Sequence, residues 1–247
     1  MADNSTMKAV ERAIDLMHTN LGDHITIDDL ARAAMFSKFH FSRLFQRVTG
    51  VSPARFLSAM RIDEAKRLLL TTPRTVADIG HNVGYNSVGT FSSRFRSSVG
   101  VSPITYRQLD GVVSRIPDRR GLADGRYTDV RGRIHGRLPG PHSGVFVGAF
   151  PSRVPEGAPA RYAILPEPGP FHLPEVPIGT WYLIAHVVTS TPDFELRLVG
   201  CHGPFTVHAG TTAHLVDLQL RPSRRIDPPV LLALPDLRTD VRFELAG

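Results

Sequence analysis

The stretch SKFHFSRLFQRVTGVSP at residues 37–53 decides the fold, because a similar stretch, SVGTFSSRFRSSVGVSP, follows at residues 87–103. Each copy opens with a serine, Ser37 or Ser87, and serine often caps the start of a helix. Each then carries two phenylalanines four residues apart, a spacing that places both on one face of a helix. Each ends in Gly-Val-Ser-Pro. The repeat therefore predicts the same local structure twice in one chain.

A helix-start signal precedes each copy, with TIDD at residues 26–29 and TVAD at residues 75–78. In both, the threonine suits the N-cap, and the aspartate three residues later completes a capping box. Near the end of each copy, Gly50 and Gly100 suit the left-handed residue that closes a helix. The repeated unit is therefore predicted to be a short helix, a turn and a second helix, which is a helix-turn-helix. The second helix of each unit is called the recognition helix below.

The segment that joins the two units, residues 53–70, is predicted to form one continuous helix. Eighteen residues at roughly 1.5 Å each give a length of about 27 Å. With the width of the flanking helices added, the two units approach the roughly 34 Å that separates successive major grooves on one face of DNA. One chain can thus place two recognition helices in adjacent grooves without forming a dimer.

The composition is that of a globular protein, with 42% hydrophobic and 21% charged residues among 247. No run of eighteen or more apolar residues is present, so we expect no membrane span. The N-terminus lacks the pattern of a secretory signal, and the one cysteine, Cys201, has no internal disulfide partner. These features predict a cytoplasmic protein. The net charge of +6 favours polyanionic partners such as nucleic acid, although charge alone is weak support.

The two halves of the chain differ in their patterns. Only three of the 20 prolines precede Asp110, and apolar residues up to that point follow helical spacing. Beyond it, residues 130–138, 180–188 and 214–220 alternate with the period of a strand, and no helical segment separates them. We therefore predict a multidomain chain, α then β: an all-α tandem helix-turn-helix domain at residues 1–110, a linker at 111–125, and an antiparallel β-sandwich at 126–247.

Residues 76–107 resemble the signature of AraC/XylS-type transcription regulators, and SRLFQRVTGVSPARF in the first copy fits the upstream unit of the same family. The resemblance covers about the first 108 residues. It implies a transcription regulator that binds double-stranded DNA at an asymmetric site through both units. It also makes RNA polymerase a candidate partner and implies no cofactor. Both a monomer and a homodimer remain open.

The resemblance also assigns roles on the first recognition helix. The residues in its base-facing positions are Phe39, His40, Ser42 and Arg43. Of these, Arg43 suits a bidentate contact with guanine and Phe39 suits a thymine methyl group. Lys38 and Arg47 are better placed to bind phosphates, which fixes register without reading sequence. The alternative for all six is an ordinary solvated helix face.

The second recognition helix has short side chains in the same positions. These are Val88, Gly89, Thr90, Ser92 and Ser93. A glycine inside a helix costs roughly 1 kcal/mol relative to alanine, and short side chains reach few bases. Arg94 and Arg96 remain as phosphate-binding candidates. We therefore expect the first unit to supply most of the sequence specificity and the second mostly affinity for the DNA backbone.

The second half, over residues 127–220, is similar to carboxypeptidase regulatory-like domains of the transthyretin-type sandwich. This resemblance implies a domain for structure and interaction without catalysis. The sequence carries no nucleophile elbow, zinc-protease pair, phosphate loop or dinucleotide fingerprint, so we predict no enzyme. The histidines show no metal-ligand spacing, so no metal site is predicted. The seven in this half are His135, His142, His172, His186, His202, His208 and His214.

Three questions about the second half stay open from sequence. Trp181 and Tyr182 fall on opposite faces of one strand, so one can line a pocket, although core packing is favoured for Trp181. A basic stripe on another strand is either a solvated face or an anion contact; it comprises Arg131, Arg133, His135 and Arg137. Finally, the domain either responds to a small-molecule effector, whose identity is unknown, or serves as an interaction or dimerisation module.

Overall fold

The computed structural model describes residues 4–113, 116, 127–138, 143–189, 197–208 and 213–235. Contacts divide the chain into two compact units. The helical unit comprises Met1–Gly111 and Arg224–Leu232, and the β unit comprises Val112–Ser223 and Ala233–Gly247. Most of the stretch predicted as a linker, His142 and residues 236–247 lie outside the described residues.

The described part of the helical unit contains seven helices in the order that the repeat predicts. They are α1 (Asn4–Thr19), α2 (Ile27–Ala34), α3 (Lys38–Thr49), α4 (Pro53–Thr71), α5 (Val76–Asn82), α6 (Val88–Val99) and α7 (Pro103–Gln108). Helix α2 packs on α3 and α5 packs on α6, which gives one helix-turn-helix in each copy. The spacer α4 has 19 residues and contacts α3 at one end and α5 and α7 at the other.

The start of each copy is fixed by the threonine cap that the sequence predicts. The Asp29 backbone N–H donates to the Thr26 hydroxyl at 3.2 Å, and the Thr26 N–H donates to the Asp29 carboxylate at 3.0 Å. The hydrogen bond from the Thr26 hydroxyl holds the pKa of Asp29 below its usual value. In the second copy, the Asp78 N–H donates to Thr75 at 3.1 Å. The predicted capping box is confirmed in the first copy, and in the second copy the threonine N-cap is confirmed.

The ends of both recognition helices follow the predicted pattern. Gly50 and Gly100 adopt left-handed conformations, with φ of 80° and 96°, and each N–H donates to the carbonyl oxygen four residues earlier. Ser52 and Ser102 then cap α4 and α7 by accepting backbone N–H groups, with proline at the first helical position. The chain therefore turns from each recognition helix directly into the next helix.

An aromatic contact explains why each copy continues as Ser-Pro followed by an aromatic residue. Phe45 of α3 meets Phe56 of α4 edge-on, with ring centroids 5.4 Å apart and an angle of 86°. Phe95 of α6 meets Tyr106 of α7 in the same way, at 5.6 Å and 71°. Such edge-to-face pairs stabilise beyond the area they bury. The repeated motif thus attaches the next helix to the core face of its recognition helix.

Arg61, in the middle of α4, binds the loop that leads into the first copy and the turn of the second copy. Its guanidinium donates to the carbonyl oxygens of Leu21 at 2.9 Å and Asp23 at 2.7 Å, both in the loop between α1 and α2. It also donates to the carbonyl oxygen of Gly84 at 3.4 Å, in the turn between α5 and α6. Burial lowers the pKa of this guanidinium. One side chain therefore fixes the two copies on the spacer helix.

Two further arginines bind the carbonyl ends of helices. Arg12 of α1 donates to Ala33 and Ala34 at the end of α2, at 3.1 and 3.2 Å. Arg107 of α7 donates to Leu69 at the end of α4, at 2.9 Å, and to carbonyl oxygens just beyond it. The last carbonyl groups of a helix have no partner inside it, so these cations satisfy groups that a helix end leaves open.

The segment Arg224–Leu232 packs with the helices, which the sequence analysis does not predict. Lys66 of α4 donates to the carbonyl oxygen of Val230 at 2.9 Å, and Leu231 is fully buried. Arg225 pairs with Asp15 of α1. A piece of chain that is remote in sequence thus completes the core of the helical unit.

The described part of the β unit contains eleven strands in three sheets. They are β1 (Val112–Val113), β2 (Tyr127–His135), β3 (Ser143–Phe150), β4 (Tyr162–Leu165), β5 (Pro170–Pro177), β6 (Gly179–Thr189), β7 (Leu198–Val207), β8 (Ala213–Leu215), β9 (Leu218–Gln219), β10 (Arg221–Pro222) and β11 (Leu234–Pro235). One sheet has the order β10-β7-β6-β3-β4, a second has β5-β2-β8 with β9 also paired to β2, and β1 pairs with β11. The five-stranded sheet is antiparallel throughout. The β unit is therefore rich in antiparallel sheet, as predicted.

Two parallel pairings of β2 differ from the all-antiparallel prediction. The run at residues 214–220 does not form one strand but breaks into β8 and β9, and both pair in parallel with β2. At the break, the Asp217 carboxylate accepts the N–H of Arg133 at 3.0 Å. Gly132 permits this approach, because a Cβ there would lie 1.7 Å from the carbonyl oxygen of Val216. A larger residue at position 132 would therefore clash with the backbone at the break.

The two larger sheets share one buried core. It includes Val130 of β2, Leu173 of β5, Val147 of β3 and Leu183 of β6, each with 0% exposure. On β3 and β6 every second residue enters this core, as the period of two predicts, but the residues between them, such as Phe146 and Ile184, are buried as well. Near the unit boundary, the stretch predicted as a linker includes β1, of which Val113 is buried.

The turns of the two copies generate a stability prediction. Met35 and Gly84 occupy equivalent positions, and both are left-handed, with φ of 61° and 83°. A Cβ at Gly84 would lie 2.7 Å from the Arg61 guanidinium and 2.9 Å from the carbonyl oxygen of Leu21. We expect Gly84→Ala to lower the free energy of unfolding of the helical unit by about 1–3 kcal/mol. Met35→Gly should raise it by about 0.5–1 kcal/mol, because glycine relieves the left-handed strain.

The measurement is urea denaturation followed by circular dichroism in the helix band, since all the described helices lie in the helical unit. Fluorescence of Trp181, the one tryptophan, follows the β unit and serves as the control. Equal effects of both substitutions on the circular dichroism transition would contradict the prediction.

Candidate DNA interface

The residues predicted for the first recognition helix all lie on α3, and most are exposed. Phe39 is 75% exposed, an unusual state for a large aromatic side chain. His40, Arg43, Lys38 and Arg47 are also exposed, and Ser42 is half-buried. Because Phe39, Arg43 and Arg47 follow at four-residue intervals, they share one face of the helix.

Local contacts restrain several of these side chains. The Lys38 ammonium lies 5.8 Å from the centroid of the Phe39 ring and 4.0 Å from the Asp28 carboxylate. Both contacts are exposed to solvent, so they stabilise little and leave Lys38 able to exchange partners. The Ser42 hydroxyl donates to the carbonyl oxygen of Lys38 at 2.8 Å. Ser42 is therefore partly engaged with its own helix.

The predicted residues of the second recognition helix lie at the start of α6. Val88 is 39% exposed, and a Cβ at Gly89 would have no neighbour within 4 Å. Thr90 is exposed, but its N–H donates to the Ser87 hydroxyl at 3.2 Å, and the two hydroxyl groups lie 2.9 Å apart. Further along the helix, Ser92 is half-buried and Ser93 is exposed. The surface at the start of α6 therefore presents short side chains, and one of its polar groups is used in the cap.

Arg94 and Arg96 differ in their surroundings. Arg96 is exposed, whereas Arg94 is half-buried and its Nε donates to the Ser58 hydroxyl of α4 at 3.2 Å. Arg94 thus connects the second recognition helix to the spacer, a contact that sequence patterns do not predict.

Sequence reasoning missed two exposed apolar residues in the turn before α3. Met35 is 76% exposed and Phe36 is 37% exposed. The Phe36 ring stacks on His40, with centroids 4.7 Å apart and an angle of 24° between the rings. The four-residue spacing of Phe36 and His40, on either side of the N-cap Ser37, could have indicated this contact from sequence. Together with Phe39, these side chains give the first copy an apolar surface beside its cations.

The structure bears on two of the three open questions about the β unit, namely the place of Trp181 and the basic stripe. Trp181 is buried in the shared core and its Nε1 donates to the carbonyl oxygen of Pro177 at 2.8 Å, so the favoured core role is confirmed. Arg131 pairs with Asp129 at 3.1 Å and His135 with Asp217 at 3.3 Å. The stripe is thus partly neutralised on its own sheet face, which favours an ordinary solvated surface. Arg137 lies beyond the end of β2.

Neither a metal centre nor a membrane helix emerges from the described residues. No group of His, Cys, Asp and Glu side chains among them could hold a metal ion. No helix in the described ranges combines the length and apolar character needed to cross a bilayer.

Comparison with known proteins identifies the helical part. A family model described as a helix-turn-helix domain matches residues 30–109. The HTH-type transcriptional activator AarP of Providencia stuartii is 33% identical over 91 residues, which cover 37% of this chain and 67% of that protein. This chain belongs to the AraC family of helix-turn-helix regulators. Its relatives are transcription regulators and not enzymes, as the sequence predicts.

Two further matches each cover less than half of this chain. The lactose operon transcription activator of Staphylococcus xylosus is 33% identical over 98 residues, or 40% of this chain and 35% of that protein. A crystal structure of an AraC-type regulator from Chromobacterium violaceum is 26% identical, with a TM-score of 0.42, over 44% of this chain and 96% of that one. The chain thus spans about a third of the lactose operon activator and two thirds of AarP.

The contact of Arg94 generates a prediction with a matched control on the same helix. We expect Arg94→Ala to lower the free energy of unfolding of the helical unit by about 1 kcal/mol, because it removes a partly buried hydrogen bond to α4. Arg96→Ala should change it by less than about 0.5 kcal/mol, since Arg96 is exposed. Urea denaturation followed by circular dichroism measures both. An Arg94 variant as stable as the wild type would show that the bond to Ser58 contributes nothing.

Proposed function

We propose that this AraC-family chain is a sequence-specific transcription regulator that inserts α3 and α6 into successive major grooves of DNA. The observation that carries the proposal is the attachment of both helix-turn-helix copies to one spacer helix, where Arg61 binds the loop that leads into the first copy and the turn of the second. At roughly 1.5 Å per residue, the 19 residues of α4 span about 28 Å. This length supports a separation near the roughly 34 Å between successive grooves. A single chain then suffices for two contacts.

In this proposal, the two recognition helices contribute unequally. On α3, Phe39, His40, Ser42 and Arg43 face bases, while Lys38 and Arg47 bind phosphates. On α6, the base-facing positions are Val88, Gly89, Thr90, Ser92 and Ser93. Arg96 binds phosphate there, and Arg94 does so only with nitrogens other than the Nε that bonds Ser58. The exposed aromatic and guanidinium groups of α3, against the short side chains of α6, support stronger base recognition by the first copy.

The test is selection of bound duplexes from a random pool by the full chain, followed by substitution of each base pair in the selected site. We expect base changes in the half-site under α3 to cost about 1–3 kcal/mol each and those under α6 to cost less than about 1 kcal/mol. Methylphosphonate substitution, which neutralises single phosphates, should weaken binding in both half-sites. Equal base specificity in the two half-sites would contradict the unequal roles. A single contacted groove would contradict the tandem arrangement itself.

For the β unit, we propose a sandwich of its two larger sheets that modulates DNA binding through a small-molecule effector. The core shared by the sheets supports the sandwich. A second candidate is an interaction or dimerisation module, which one observation favours. Leu215 is 78% exposed on β8, an edge strand among the described strands, and exposed apolar groups on strand edges invite pairing with another chain.

Thermal unfolding of the full chain, followed by Trp181 fluorescence, separates the two candidates. An effector at about 100 times its Kd adds about 2.7 kcal/mol to the stability of the unit that binds it, so it should raise the Tm of the fluorescence transition. For an interaction module, no compound in a metabolite library should shift this transition, whereas Leu215→Lys should abolish self-association in sedimentation velocity. A chain that is monomeric at all concentrations and that a ligand stabilises would exclude the dimerisation candidate.

A further inference from the structure

The turn of the first copy places an aromatic ring against a residue on the recognition helix. Phe36 precedes the N-cap of α3, and its N–H donates to the carbonyl oxygen of Ala31 at 2.9 Å, which fixes the turn. Its side chain, 37% exposed, stacks on the imidazole of His40 at 4.7 Å and 24°. His40 is exposed in the first turn of α3. The stack therefore restrains the orientation of a polar side chain that otherwise points into solvent.

The second copy uses the equivalent aromatic residue differently. The N–H of Tyr85 donates to the carbonyl oxygen of Gly80 at 2.9 Å, as that of Phe36 does to Ala31. Its ring, however, contacts the buried Phe91 at 5.4 Å and 55°. The Phe91 ring packs directly against Gly80, since a Cβ at Gly80 would lie only 3.0 Å from it. The same turn position thus serves the core in the second copy and an exposed side chain in the first.

The third residue of each recognition helix also differs, because it contacts the helix cap in the second copy and an aromatic ring in the first. In α6 this residue is Thr90, whose hydroxyl and N–H both contact the capping Ser87. In α3 it is His40, and the capping Ser37 makes no side-chain hydrogen bond to the helix. The hydroxyl groups of Ser87 and Thr90 are therefore bonded to each other, whereas His40 is exposed and contacts the Phe36 ring. An outward, pre-oriented imidazole is suited to an external hydrogen-bonding partner.

We propose that Phe36 is a positioning residue for His40, and that the stacked pair determines the base preference at one position of the first half-site. This inference rests on the proposed function of the chain. An imidazole N–H presented edge-on in the major groove donates to the N7 acceptor of a purine, or to O6 as well in guanine. Stacking on Phe36 restricts the rotamers of His40 before DNA binds. The entropy lost on forming the contact with the base is therefore smaller.

The test is a double-mutant cycle in the full chain. The proteins are the wild type, Phe36→Leu, His40→Ala and the double variant, each measured on the selected site and on single-base variants of the first half-site. We expect each single substitution to reduce discrimination about tenfold at the same base pair. The double variant should lose no more than His40→Ala alone, because Phe36 acts through His40. Replacing that purine by its 7-deaza analogue removes the N7 acceptor. It should therefore abolish base discrimination at this position by the wild type and leave the binding of His40→Ala unchanged.

Controls separate positioning from a general structural role. Phe36→Tyr keeps an aromatic ring and should retain the preference, and Phe39→Ala should change a different base pair additively with His40→Ala. Additive effects of Phe36→Leu and His40→Ala would overturn the inference. So would a uniform weakening on all site variants by Phe36→Leu, or a loss of preference in Phe36→Tyr.

The cycle also distinguishes failure of this inference from failure of the proposed function. If the wild type selects no sequence from the random pool, the proposed function is wrong and this inference is wrong with it. If the wild type binds a specific site but the cycle is additive, only the role of the stacked pair is wrong. Circular dichroism of Phe36→Leu checks that its helices form, and Phe36→Tyr carries the test if they do not.

Discussion

The arrangement of the helical unit depends on the binding of three backbone carbonyl groups by Arg61. Two of them, in Leu21 and Asp23, belong to the loop that leads into the first copy, and the third, in Gly84, belongs to the turn of the second. The planar, forked guanidinium can bind several acceptors at once, which an ammonium group on the same helix would do with less directional control. Because Arg61 lies midway along α4, it restrains both copies relative to one axis. The aromatic contacts of Phe45 with Phe56 and of Phe95 with Tyr106 then hold each recognition helix on its neighbour.

Features that depend on short-range chemistry could be predicted from the sequence. The threonine caps at Thr26 and Thr75 and the left-handed Gly50 and Gly100 all lie where their local patterns predict them. Each involves atoms only a few residues apart, so the pattern contains both partners. The exposure of the candidate residues on α3 follows in the same way, because the buried phenylalanines define the opposite face of the helix. The helical fold and the surface of the first recognition helix were thus accessible from sequence alone.

Features that depend on backbone acceptors far along the chain could not be predicted. In the sequence, Arg12, Arg61 and Arg107 cannot be distinguished from ordinary surface cations. Every residue has a backbone carbonyl group, so the sequence does not show which of these groups will lie near an arginine in the fold. The binding of Val230 by Lys66 joins residues more than 160 positions apart. In the β unit, β8 and β9 each pair in parallel with β2, and the backbone of Val216 between them lies against Gly132; strand periodicity predicts neither feature. For the candidate site, the stack of Phe36 on His40 and the bond of Arg94 to Ser58 were missed for a similar reason, because both require the turn and the helix packing to be known.

The difference between the two copies can be explained by where their polar groups are satisfied. In the second copy, Ser87 caps its helix, Thr90 contacts that cap and Arg94 bonds to α4, so these groups stabilise the fold. In the first copy, Ser37 forms no side-chain cap, which forgoes the roughly 1 kcal/mol that a capping hydrogen bond contributes. The fold can accommodate this loss of stability, because α4 and Arg61 hold both copies. The start of one recognition helix can therefore be less stable than the start of the other. Under the proposed function, the exposed His40 and Arg43 of the first copy bind DNA, whereas the equivalent helix of the second copy uses its polar groups mainly to stabilise the fold.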